Sequence, residues 1–135
     1  MRANNLTLLT DLYELTMMQG YFKNPTDQTV VFDMFYRDNP CGGGFAICAG
    51  LEQVIEYIEN LHFDEDDIEY LRGQGLFGEE FLTYLANFKF RGDIYSFPEG
   101  TIMYPNEPVI TVVAPLLDAQ LVETAILLQV NHQSL

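Results

Sequence analysis

Between Leu51 and Leu61, apolar residues fall at Leu51, Val54, Ile55, Ile58 and Leu61, while Glu52, Gln53, Glu56, Glu59 and Asn60 fill the positions between them. This spacing repeats close to every 3.6 residues, and it predicts a helix with one face in a core. Between Thr29 and Arg37 the period changes to two. Val30, Phe32, Met34 and Tyr36 alternate with Val31, Asp33, Phe35 and Arg37, which predicts a strand with one wholly apolar face. Asn39-Pro40-Cys41-Gly42-Gly43-Gly44 then turns the chain, and Phe45 to Cys48 is expected to form a short strand paired back on the first.

A helix is predicted to start at Thr10 or Asp11, with Glu14 three residues after Asp11 as in a capping box. Leu12, Leu15 and Phe22 fall on one face of it, and Tyr13, Met17 and Tyr21 on the next. Being apolar nearly all round, it is expected to be buried or to lie in an interface. Lys23 to Thr29 reads as a loop. Asp64-Glu65-Asp66-Asp67 places negative charge on the first turn of a short helix ending near Gly73, and another helix spans about Glu79 to Asn87. Strands follow at Phe90–Phe97, Thr101–Tyr104 and Val109–Val113, separated by proline-containing turns. Pro115 opens a last helix, Leu116 to Leu135, with Leu121, Ala125, Leu128 and His132 at helical spacing and no capping residue at its end. The fold class is therefore α+β, one domain over residues 1–135, expected to be cut within its last helix.

Composition narrows the function. Six basic residues against twenty acidic ones give a formal charge of −14, which repels nucleic acid and acidic membrane surfaces. No run approaches the roughly eighteen uninterrupted apolar residues of a membrane span, and the first residues lack the pattern of a signal peptide, so a soluble cytoplasmic protein is the default. Cys41 and Cys48 are too few for a secreted disulfide framework or a zinc site, and both read as reduced, partly buried thiols.

The acidic surplus makes each arginine conspicuous. Arg37 closes a strand before a glycine-rich turn, where a guanidinium can take a phosphate through two parallel hydrogen bonds; the plainer alternative pairs it with Asp38 or Asp33. Tyr13, on the first helical turn, offers a phenol face for stacking on an aromatic ring, although spacing alone favours an ordinary half-buried tyrosine. Gly42-Gly43-Gly44 lets backbone amides approach an anion, or is a flexible turn. His132 reads as a satisfied buried side chain, and His62 has no special neighbour. The acidic run at Asp64–Asp67 is explained by the helix dipole, since consecutive carboxylates point in different directions, and no metal ligands are assigned. No Walker loop, Ser-His-Asp set, HExxH or CxxC pair occurs, so no catalytic residue is assigned.

The stretch Leu8-Leu9-Thr10-Asp11-Leu12-Tyr13-Glu14-Leu15-Thr16-Met17-Met18-Gln19-Gly20-Tyr21-Phe22, with Phe32-Asp33-Met34-Phe35-Tyr36-Arg37-Asp38-Asn39-Pro40, the Gly42–Gly44 run and Phe97-Pro98-Glu99-Gly100, strongly resembles the N-terminal region of nicotinate phosphoribosyltransferase, a type II phosphoribosyltransferase. The resemblance runs from about Leu8 to Leu135. It implies an N-terminal helix, an antiparallel or mixed sheet and flanking helices, with the family's α/β barrel absent from this chain. It implies an enzyme that joins nicotinate to 5-phosphoribosyl-1-pyrophosphate, giving nicotinate mononucleotide and pyrophosphate in NAD salvage. ATP hydrolysis is coupled through a phosphohistidine in the barrel, and ATP and Mg2+ serve the full-length enzyme.

The family's tyrosine in this helix reaches across a homodimer and stacks on the pyridine ring, and an arginine at the end of this strand contacts phosphates, again across the dimer. Those roles fall on Tyr13 and Arg37. The chain alone is then expected to be an inactive lid and dimer-contact domain with no cofactor of its own. The patterns fit the nicotinate branch more closely than the nicotinamide branch, with quinolinate users more distant. The alternatives are a stand-alone ligand-binding module and a purely structural dimerisation domain.

Overall fold

The computed structural model of the chain describes residues 5–135. In chain order the elements are α1 (Leu12–Lys23), β1 (Thr29–Met34), a short 3-10 turn (Pro40–Gly42), β2 (Ala46–Ile47), α2 (Leu51–Glu59), α3 (Glu65–Gly73), α4 (Glu79–Ala86), β3 (Asp93–Ser96), β4 (Ile102–Met103), β5 (Ile110–Pro115) and α5 (Leu116–Ser134). The α+β class holds, and no barrel is present among the described residues. No helix among them is long and apolar enough to cross a membrane.

The main sheet is antiparallel, ordered β1-β5-β3, with β5 in the middle. Val30 faces Ala114, Phe32 faces Val112 and Met34 faces Ile110 across β1 and β5, and Ile94 continues that face on β3. This is the apolar face expected from the alternation at 30–36, and it packs on the core while Val31 and Tyr95 face outward. Helix α5 lies against the sheet and also packs on α1 and α2. Its first half is surrounded, so Ala119, Gln120, Leu121 and Val122 are all buried in succession, and polar residues find no free face there.

Several sequence expectations need correction. Phe45–Cys48 does not pair back on β1; its core, β2, pairs antiparallel with β4 in a separate two-stranded sheet, and β1 pairs with β5. β1 stops at Met34, three residues before Arg37. On α1 the buried face is Glu14, Leu15 and Met18, whereas Leu12, Tyr13 and Met17 are exposed. On α2, Tyr57 takes the buried position assigned to Ile55, since it lies three residues from Val54 and on the same side, while Ile55 is exposed. Leu128 and His132, four residues apart, lie on the outward face of α5 and are exposed, while Val130 between them stays in the core. Cys41 is exposed in the 3-10 turn, and Cys48 alone is buried.

Long-range polar contacts pin the elements. The Gln19 side chain donates to the Leu76 carbonyl at 3.0 Å and accepts from the Gly78 amide at 2.7 Å, fastening α1 to the α3–α4 connection. The Glu99 carboxylate accepts from the amides of Gly50 and Leu51 at 2.9 Å each, supplying the start of α2 with the acceptor that no local side chain provides. Asp118, fully buried, accepts from the Arg91 backbone amide at 2.8 Å and from its guanidinium at 3.0 Å. The Arg91 side chain is largely exposed, so the amide bond matters more than the charge pair. Asp118→Ala should lower the unfolding free energy by about 2 kcal/mol, with Asp118→Asn losing less because an oxygen still faces the amide. A urea midpoint that falls at unchanged slope is the check.

Candidate functional site

The first turn of α1 rests on the middle of α5. Asp11 caps it, and its backbone amide donates to the Glu14 carboxylate at 3.1 Å, which is the capping-box bond expected from the sequence. That carboxylate is fully buried. It also accepts from the Thr10 hydroxyl, from the Thr124 backbone amide at 3.0 Å and from the Thr124 hydroxyl at 2.8 Å. Burial holds the Glu14 carboxyl above the ordinary glutamate range, against the hydrogen bonds that pull it down.

Tyr13 follows from this seating. With Glu14 and Leu15 turned inward, the neighbouring ring is turned out and stands 47% exposed. Its hydroxyl donates to Glu123 on α5 at 3.2 Å, and the Gln120 amide steadies the other Glu123 oxygen at 2.9 Å. Burial, with the carboxylates of Glu123, Glu14 and Asp11, pushes the phenol above its usual value, so the hydroxyl stays protonated and donating at neutral pH. Exposed Leu12 and Met17 flank the ring on the outer face of α1. Glu123 also stands at the rim of an apolar groove of about 440 Å³ between β1, β5 and α5, lined by Phe32, Met34, Val122 and Ile126.

Arg37 lies in the loop after β1, exposed, and it forms no ion pair among the described residues. The carboxylates nearest in sequence are engaged elsewhere: Asp33 accepts from the Thr111 hydroxyl at 2.6 Å and Asp38 from the Asn39 amide at 2.8 Å. The backbone beside it is held, because the Tyr36 hydroxyl donates to the Met103 carbonyl at 2.8 Å and the Tyr36 carbonyl accepts from the Asn106 amide at 2.8 Å. Gly42-Gly43-Gly44 leaves the 3-10 turn, with Cys41 and Gly42 at positive φ.

The structure does not bring Tyr13 and Arg37 together. Tyr13 sits beside Glu123, whereas the residues around Arg37 border a pocket shared with Val130 and Ser134. Two to three turns of α5 separate these anchor points, roughly 10–16 Å at 1.5 Å per residue. The sequence reading missed Thr124, Glu123 and the burial of Glu14, which have no local signature.

The chain matches the model of the nicotinate phosphoribosyltransferase N-terminal domain over residues 8–131. It is 48% identical over 127 residues to nicotinate phosphoribosyltransferase pncB2 of Mycobacterium tuberculosis, covering 94% of this chain and 27% of that protein. To nicotinate phosphoribosyltransferase of Bacillus subtilis it is 41% identical over 135 residues, covering 99% of this chain and 28% of that protein. The chain thus spans little more than a quarter of the length of these relatives. Among solved structures, human nicotinic acid phosphoribosyltransferase superposes with a TM-score of 0.80 at 30% identity, over 90% of this chain and 25% of that one. Nicotinate-nucleotide pyrophosphorylase from Pyrococcus furiosus shares the fold, with a TM-score of 0.66 at 20% identity.

Proposed function

The chain belongs to the nicotinate phosphoribosyltransferase family through that family's N-terminal domain, and from this premise we propose that it is the lid and dimer-contact part of an enzyme joining nicotinate to 5-phosphoribosyl-1-pyrophosphate. In that reaction the pyridine nitrogen bonds to the anomeric carbon as the bond to pyrophosphate breaks. The lid's part is to orient the ring and offer positive charge to phosphate, which lowers the barrier through positioning. The observation that carries this reading is the seating of Tyr13: a ring turned out from α1 beside Glu123, with Leu12 and Met17 exposed on the same helix. A partner subunit would cover Leu12 and Met17 while taking the Tyr13 ring into its own site. Arg37, a cation without a carboxylate partner among the described residues of an acidic chain, suits a phosphate approaching from that partner.

The separation of Tyr13 and Arg37 agrees with sites completed between two copies. ATP and Mg2+ belong in this reading to the full-length enzyme. No three His, Cys, Asp or Glu side chains converge on a metal position among the described residues, so no ligand set and no step through magnesium is assigned to this chain.

Isothermal titration tests the proposal. The 135-residue chain alone should show no saturable binding of nicotinate or of phosphoribosyl pyrophosphate with magnesium. In the full-length enzyme, Tyr13→Ala should raise the nicotinate KM by about tenfold, the size of one aromatic contact. Saturable binding by the chain alone would sink the lid reading and establish a ligand-binding module in its own right.

A further inference from the structure

Tyr13 is tethered by one exposed hydrogen bond of 3.2 Å to Glu123, too long and too wet to hold a ring in one orientation. The residue beside it is held far more firmly. Glu14 is fully buried, and burying a carboxylate is costly unless its oxygens are satisfied. A capping box does not require that burial, because an exposed glutamate at the same position can make the same bond.

The extra acceptor capacity goes to α5. The Thr124 amide, which in a regular helix serves the carbonyl four residues earlier, donates to Glu14 at 3.0 Å, and the Thr124 hydroxyl donates to Glu14 at 2.8 Å. That hydroxyl also lies 3.1 Å from an Asp11 oxygen. One threonine therefore gives its amide and its hydroxyl proton to Glu14, with Asp11 beside the same hydroxyl, and so meets α1 on either side of Tyr13. Sliding or rotating α1 by one residue would break these bonds together and leave a buried carboxylate facing nothing.

We infer that Glu14 and Thr124 are positioning residues, a clasp between α1 and α5 that fixes the direction of the Tyr13 ring. The inference rests on the proposed role of Tyr13 for its consequence in catalysis, though not for its structural content. The groups facing the clasp are Asp11 and Tyr13 on α1, Tyr57 on α2 and Glu123 on α5. Thr124→Val removes the hydroxyl at nearly constant volume, and Thr124→Ser keeps it.

The test labels the chain with tyrosine carrying 13C at Cζ and assigns the Tyr13 resonance by its loss in Tyr13→Phe. In the unsubstituted chain the Tyr13 phenol should titrate above its ordinary value, and the Thr124 amide resonance should follow the titration of the Glu14 carboxyl. In Thr124→Val the Tyr13 titration should fall back toward the ordinary value while the tyrosines remote from the clasp keep their positions, and Thr124→Ser should restore it. A Thr124→Val chain whose Tyr13 resonance and titration match the unsubstituted one overturns the inference. So does a Thr124 amide indifferent to the Glu14 titration, a result that needs no variant to fold. In the full-length enzyme, Thr124→Val should raise the nicotinate KM by about as much as Tyr13→Ala, with kcat nearly unchanged. If the Tyr13 resonance moves as stated while Tyr13→Ala leaves nicotinate binding intact, the clasp stands and the proposed role of Tyr13 falls.

Discussion

Phe81→Ala should remove about 4 kcal/mol of stability, within the range for emptying a fully enclosed aromatic site. Phe81 is 1% exposed on the inner face of α4. Its ring centroid lies 5.7 Å from Phe22, 5.9 Å from Phe77 and 6.2 Å from Tyr84, so it is the shared member of a cluster joining α1, α4 and the loop before α4. Truncation forfeits the transfer free energy of the ring and leaves a void that three rigid neighbours cannot collapse to fill. Against a total stability of roughly 5–15 kcal/mol for a domain, that is a major share. Phe77→Ala, at a half-buried position on the cluster's rim, should cost about half as much. Urea unfolding followed by circular dichroism measures both. A loss below about 1 kcal/mol for Phe81→Ala would mean that the site refills, and that α4 is not anchored as the structure shows.

How far such features are legible in the sequence depends on how local their causes are. The outer face of α2 reads directly from its charges, since each of Glu52, Glu56 and Glu59 stays in water. Periodicity placed Ile55 inside because it lies four residues after Leu51 and three before Ile58, but the buried face centres on Val54, about 100° away around the helix, and Tyr57 wins the inner position. The alternation in β1 shows which side chains turn inward. It cannot show the partner strand, and Met34 pairs with Ile110 across most of the chain. Arg37 and Tyr13 stood out from their places in an acidic chain and on a first helical turn, a likeness to a family gave them their roles, and the structure places both on the surface. Glu14 illustrates the limit: its capping bond spans three residues and was foreseen, while its burial depends on Thr124, 110 residues away. His132 was assigned to the interior from the apolar run around it, but Leu127 and Leu128 are themselves exposed there.

Gly50→Ala should cost about 3 kcal/mol, from two sources that can be separated. The residue has φ +100°, a conformation that disfavours any side chain, and a Cβ there would stand 2.9 Å from the Gln129 carbonyl oxygen on α5. That oxygen belongs to the backbone of a packed helix, so the contact is relieved only by moving α2 away from α5. Gly100 supplies the control: its φ is +84°, but a Cβ added to it meets nothing within 4 Å. Gly100→Ala should therefore show the conformational cost alone, about 1 kcal/mol, and the remainder of the Gly50 effect reports the closeness of α2 to α5. A second consequence follows from Glu99, whose carboxylate accepts from the Gly50 and Leu51 amides. Displacing the start of α2 breaks that grip, so Glu99→Gln should cost about 1 kcal/mol in the parent chain and much less in the Gly50→Ala background. Full additivity of the two substitutions would show that α2 keeps its place, and that the cost at Gly50 is backbone strain without displacement.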